Sequence, residues 1–291
     1  MFETTDLWST HSQKRQKAMT DTAHQTRNDV NTRSIVSFVL LTFGITWGVV
    51  AILLISPQLI PAFLGPMGVT NPVYILAVWA PGLVGMGLIA WHTGIAGLRR
   101  YFGRLLNLDV AWQWWAFVLL ALPAVKVAGA ILNGTPFAGW LVTQPFGQVL
   151  GITLFMLFLG PFEEFGWRGF LLPLMQRIMT PALAGLLIGL VWSIWHIPAF
   201  FLDGAPHGAW SMMPFIIGVT SVGVIMAVAY NKTNGNLLFP IILHWQLNIA
   251  FWPEAQPWEN YLNLALAVVL LWVHRDVMFS RDKGLTTVVP D

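Results

Sequence analysis

The sequence predicts an all-α fold, a polytopic transmembrane helix bundle of about eight helices. Three observations carry that expectation. Of 291 residues, 56% are hydrophobic and only 10% charged, whereas a soluble domain carries about 25% charged residues. The apolar residues fall in runs near the ~17–25 residues a membrane helix needs. Lysine and arginine are distributed on one side of those runs only.

Residues 1–33 are polar and contain Lys14, Arg15, Lys17, Arg27 and Arg33. They read as a flexible cytoplasmic tail rather than a secretory signal, because the apolar run that follows is too long and lacks a cleavage site. Eight spans follow, at about residues 34–56, 73–92, 112–132, 146–162, 181–201, 212–230, 237–252 and 260–274. Turn-forming sequences separate them: Ser56-Pro57, Asn71-Pro72, Asn133-Gly134-Thr135-Pro136, Thr180-Pro181, Asp203-Gly204-Ala205-Pro206 and the stretch from Asn231 to Asn236. Residues 95–106 set Leu98, Tyr101, Phe102 and Leu105 against Arg99, Arg100 and Arg104, the pattern of a short interfacial amphipathic helix. Gly44-xxx-Gly48 and Gly185-xxx-Gly189 are spacings that let helices approach closely. Residues 34–274 thus form a transmembrane domain, and 275–291 a second cytoplasmic tail.

Orientation follows from counting charge. All fifteen lysines and arginines except Lys126 fall in the two tails or in every second connection: Arg99, Arg100 and Arg104, then Arg168 and Arg177, then Lys232. Asp203, Glu254 and Glu259 fall in the opposite connections. The positive-inside rule then puts both termini in the cytoplasm of a multi-pass cell-membrane protein. Lys126 lies within the third span and can snorkel outward or pair inside the bundle, of which snorkelling is the preferred reading.

Three segments hold polar groups that apolar spans do not need. Glu163, Glu164 and Arg168 stand in an otherwise apolar stretch, where each charge costs about 2.5–3.5 kcal/mol near the bilayer centre. On a helix Glu164 and Arg168 are i,i+4 and can pair. Glu163 points about 100° away and is free to meet an imidazole from another helix. His196 follows Trp192 on one helix face, and His244 and Asn248 share another. Trp167, Trp192, Trp195, Trp245 and Trp252 read as packing and interface residues.

A carboxylate, two imidazoles and an amide suffice to activate a water and hold an oxyanion. The chain has no cysteine, which excludes disulfides, thiol catalysis and Cys-bound zinc. Ser193 lies near His196 but no acid completes a triad with it, and H-E-x-x-H is absent. Glu163, His196 and His244 are also a set that can ligate a metal. A non-catalytic immunity or partner-binding membrane protein, a metal-dependent protease and a proton-coupled carrier are the competing readings.

Glu163-Glu164-Phe165-Gly166-Trp167-Arg168 resembles the EExxxR motif of the CPBP family, the CAAX prenyl endopeptidase and bacteriocin-processing (Abi-type) intramembrane proteases. Trp192 to His196 and His244 to Asn248 are similar to that family's later motifs, in order, over a core of about residues 150–252. The departure is Trp192, where the family pattern has Phe. The resemblance implies a glutamic endopeptidase with no metal or cofactor. Glu163 and His196 would activate water, His244 and Asn248 would form the oxyanion hole, and Glu164 with Arg168 would order the first motif. It also implies a cavity opening to the cytoplasm, and the charge count puts the first motif near that side. The expected partners are the lipid bilayer and a peptide or protein substrate, with a bacteriocin precursor and a lipidated protein both compatible. No nucleic acid is expected.

Overall fold

Asn71 and Thr180 start two of the membrane helices in the same way. Each accepts a hydrogen bond on its side chain from a backbone N–H in the first turn, at 3.0 Å from Val73 and 3.4 Å from Leu183. A proline occupies the first helical position in both, where its missing N–H is no loss. The computed structural model describes residues 30–56, 58–65, 68–140, 144–202, 206–249 and 251–290, so nearly all of the expected N-terminal tail lies outside the described residues. Those described form an all-helical bundle.

The elements run in order as α1 (Ser34–Ile55), the short α2 (Leu59–Leu64), α3 (Pro72–Gly103), α4 (Trp112–Leu132), α5 (Phe146–Gln176), α6 (Pro181–His196), α7 (Met212–Lys232), α8 (Leu238–Leu247), α9 (Trp258–Val273) and α10 (Arg275–Met278). Among the described residues six helices are long and apolar enough to cross a membrane: α1, α3, α4, α5, α6 with its continuation to Phe201, and α7. The last two predicted spans are the shorter apolar helices α8 and α9. The chain is an integral membrane protein. Ile55, Trp91 and Phe158 are mostly exposed, as lipid-facing side chains should be.

Three sequence expectations need correction. The fourth span does not stop at residue 162. Its α-helix ends at Leu159, but a 3₁₀ turn, one α turn and the π turn Trp167–Leu171 carry it on to Gln176. Arg168 therefore lies inside a span, not in a connection, and is 1% exposed. The amphipathic segment after Gly94 is real, since Gly94 breaks α3 with φ +66°, but its faces are not as predicted. Arg104 turns inward with Tyr101, donating to the Tyr230 hydroxyl at 2.8 Å and to the Thr287 carbonyl. Lys126 does not snorkel. It pairs with Glu259, which is 7% exposed in the first turn of α9.

The two glycine pairs also part company. Cβ atoms on Gly44 or Gly48 would meet nothing, whereas one on Gly189 would lie 2.5 Å from the Thr220 carbonyl and one on Gly185 2.6 Å from Ala227. The second pair thus sets the α6–α7 crossing. At the basic end of the bundle the C-terminal segment packs back onto the helices. Gln176 donates to Leu285 at 2.6 Å, Arg177 to Thr286 at 2.8 Å and Arg100 to Pro290 at 3.0 Å. Val288 and Val289 are buried there, as is Val30.

Candidate functional site

The irregular middle of α5 builds the site. Pro173 has no N–H to return to the carbonyl four residues back, and the preceding turn widens to π geometry, a device common at functional sites. The segment is braced against α3, where the Tyr101 hydroxyl donates to the Phe165 carbonyl at 2.6 Å. Gly166 lies so close to α3 that a Cβ there would be 2.2 Å from the Pro81 carbonyl. A larger residue would push the adjacent glutamates out of place.

The two glutamates have different surroundings. Glu164 is fully buried and accepts on Oε1 from Arg168 Nη1 at 2.9 Å, with His244 Nδ1 at 2.7 Å from the same oxygen. The predicted Glu164–Arg168 pair is present, and His244 joins it. Glu163 Oε2 accepts from the indole N–H of Trp192 at 2.8 Å and of Trp167 at 3.2 Å. Among the described hydrogen bonds none joins Glu163 to a histidine, so the expected imidazole partner is replaced by two tryptophans. The reading of Trp167 and Trp192 as packing residues is thereby corrected. Trp192 also carries the Arg168 guanidinium 4.5 Å above its ring and meets the rings of His196 and His244 edge-on. The sequence signal was present in the Trp/Phe departure at 192, because only an indole brings a donor to that position.

His244 and Asn248 converge over Gly160. A Cβ at Gly160 would be 2.0 Å from Asn248 Nδ2 and 3.0 Å from His244 Nε2, so the missing side chain is what lets both nitrogens come together against α5. With the Nδ1 proton directed at Glu164, Nε2 donates when the imidazole carries its second proton. His196 holds its Nδ1 2.8 Å from the Trp192 carbonyl, which fixes the ring.

Glu163, His196, His244 and Asn248 line one cavity of about 520 Å³, whereas Glu164 and Arg168 lie behind its wall. The Lys126–Glu259 pair, with Asn260 and Asn263, lines the same cavity further from Glu163 along α9. Asn260 Nδ2 and Asn263 Oδ1 are buried without a partner. Sequence reasoning missed this second polar group because its members are spread over two spans and a connection. Among the described residues no three His, Asp or Glu side chains are grouped so as to hold a metal ion.

The cavity reaches Glu163 from the end of the bundle that lacks arginine. Its wall takes the C-terminal half of α1, the N-terminal parts of α3, α7 and α9, and the connections holding Leu202, Trp210 and Pro253. The expectation that it opens on the lysine- and arginine-rich side is therefore wrong. That expectation came from the resemblance; the charge count supported it only by placing Arg168 in a connection on that side, when it sits within the span.

Residues 145–250 match the family model described as Type II CAAX prenyl endopeptidase Rce1-like. All six motif residues fall inside that stretch. The chain is also similar to CAAX prenyl protease 2 of Methanococcus maripaludis, 26% identical over 196 residues that cover 62% of this chain and 72% of that one.

Proposed function

The chain is a membrane protease similar to the Rce1-like CAAX prenyl endopeptidases, and we propose that it hydrolyses its peptide or protein substrate by a glutamic, metal-independent mechanism. Glu163 is the general base. Its Oε2 is held by two indole donors, which leaves Oε1 for a water in the cavity, with the imidazole of His196 orienting that water from α6. Glu163 takes a proton as the water oxygen bonds to the scissile carbonyl carbon. The carbonyl oxygen becomes an oxyanion on the cavity side of Asn248 Nδ2 and His244 Nε2, which donate to it. The C–N bond then breaks and the proton held by Glu163 passes to the leaving amine. Glu164 and Arg168 touch no reacting atom and hold His244 in place.

The convergence of His244 and Asn248 on the side-chain-free face of Gly160 is the observation that carries this reading. Glu163→Gln and His196→Ala should each lower kcat of the purified protein by about 10²-fold or more while leaving its melting temperature in detergent unchanged. A well-folded Glu163→Gln protein with full activity would overturn the mechanism. Gly160→Ala puts a methyl where the Asn248 amide lies and displaces it, and should lower kcat about 10²–10³-fold, the usual loss on removing an oxyanion donor, with a smaller change in KM.

A further inference from the structure

We infer that substrate reaches Glu163 from the extracytoplasmic side of the membrane. The substrates would then be peptide segments of exported or membrane-anchored polypeptides exposed at the outer face or in the outer half of the bilayer. This rests on the proposal that Glu163 is the catalytic base. Two independent observations meet in it.

The first is the placement of charge. Every lysine and arginine in a connection or tail of the described residues lies at one end of the bundle: Arg33, Arg99, Arg100 and Arg104, Arg177, Lys232, and Arg275 through Lys283. The relocation of Arg168 into a span removes it from that count without adding a cation to the other end. Lys126, the remaining cation, is neutralised by Glu259. The positive-inside rule assigns the arginine end to the cytoplasm.

The second is the direction of the cavity. On α1 the wall begins at Thr46 and ends at Leu53, on α3 it runs from Tyr74 to Val78, and on α9 from Glu259 to Asn263. All of these lie at the end opposite the arginines. The cytoplasmic end offers no comparable route, because Arg104, Gln176 and Arg177 bind the returning C-terminal segment across it. Between Glu163 and that end stand Trp167, Arg168 and Phe170, all buried.

The wall of the cavity also suits a polypeptide. Asn260 Nδ2 is a free donor and Asn263 Oδ1 a free acceptor, both buried and both on the cavity wall. Main-chain N–H and C=O groups of an extended peptide need such partners at membrane depth.

The absence of native cysteine makes the test clean. Ala209→Cys, on an exposed position near Trp210, and Lys283→Cys, exposed at the arginine end, are each treated in intact cells with a membrane-impermeant maleimide. Ala209→Cys should label in intact cells and Lys283→Cys only after permeabilisation. The reverse pattern, or labelling of both in intact cells, overturns the inference. Should Ala209→Cys resist labelling even after permeabilisation, Glu254→Cys on the same face replaces it and is judged by the same rule. In parallel, new peptide termini are mapped in membranes from cells making wild-type or Glu163→Gln protein. Wild-type-dependent cuts should fall in extracytoplasmic or outer-leaflet segments, and cuts confined to cytoplasmic lipid-modified C-termini would overturn the inference. Identical termini in the two strains would instead refute Glu163 as the base, leaving the labelling result to stand on its own.

Discussion

Glu163 and Glu164 are neighbours in the chain and opposites in their surroundings. One lines the cavity and is held by two neutral indole N–H groups; the other lies behind the wall and is held by a guanidinium and an imidazole. The contrast teaches that burial alone does not assign a role. Both carboxylates are at most 2% exposed. What separates them is which partner neutralises the charge and whether one oxygen is left for a substrate.

The sharpest way to break this comparison is to remove each glutamate in turn. Glu163→Gln should lose about 10²–10⁴-fold in kcat, the usual worth of a positioned general base, with little change in stability. Glu164→Ala should do the reverse in kind. It takes from buried Arg168 its directly paired carboxylate and from His244 its Nδ1 partner, and stripping one partner from a buried pair costs about 3–5 kcal/mol. Thermal unfolding in detergent, read beside peptide cleavage, separates the two outcomes. Equal losses in both measurements for both variants would show that the carboxylates act as one unit.

Trp192→Phe sharpens the comparison on the Glu163 side. A phenyl ring keeps an aromatic face beneath Arg168 but deletes the indole N–H together with part of the ring volume at a buried position, so stability is read beside activity. The Trp167 donor to Glu163 remains. A hydrogen bond to a charged group contributes about 1.5–3 kcal/mol, so a fall in kcat of roughly 10–10²-fold at unchanged KM is expected. If stability falls and kcat does not, Trp192 serves only as packing.

Much of this was legible in the sequence. The all-helical membrane bundle came from hydropathy and punctuation, although only six of the eight expected spans are long and apolar enough to cross a membrane among the described residues, and the Glu164–Arg168 pair came from i,i+4 spacing. Two kinds of fact were not legible. One was the course of α5 through Pro161 and Gly166, which read as a helix end but continues as 3₁₀ and π turns, so Arg168 was assigned to a connection. The other was pairing across helices. Lys126 and Glu259 stand far apart in sequence, and no local pattern announces that they meet. The direction of the cavity was not legible either, since the expectation for it came from the resemblance alone and not from residues that line the cavity.

The same division that separates the glutamates separates the imidazoles. His244 is tied to a carboxylate, whereas His207, in the connection before α7, sits among Phe200, Trp210 and Phe215 with its ring 5.4 Å from that of His196. Its Nδ1 is buried without a partner. Burial among these rings pushes its pKa down from 6.5 to about 4. As pH falls below 6.5 the unfolded chain takes up this proton first, so the folded state loses stability between pH 6.5 and about 4 and loses no more from this group below that. His207→Phe keeps an aromatic ring in the connection and removes the titration. The wild-type melting temperature should therefore fall further than that of the variant between pH 7.5 and pH 5. Parallel falls would mean that His207 accepts its proton in the folded protein, and that the outer part of the cavity is wetter than its aromatic lining suggests.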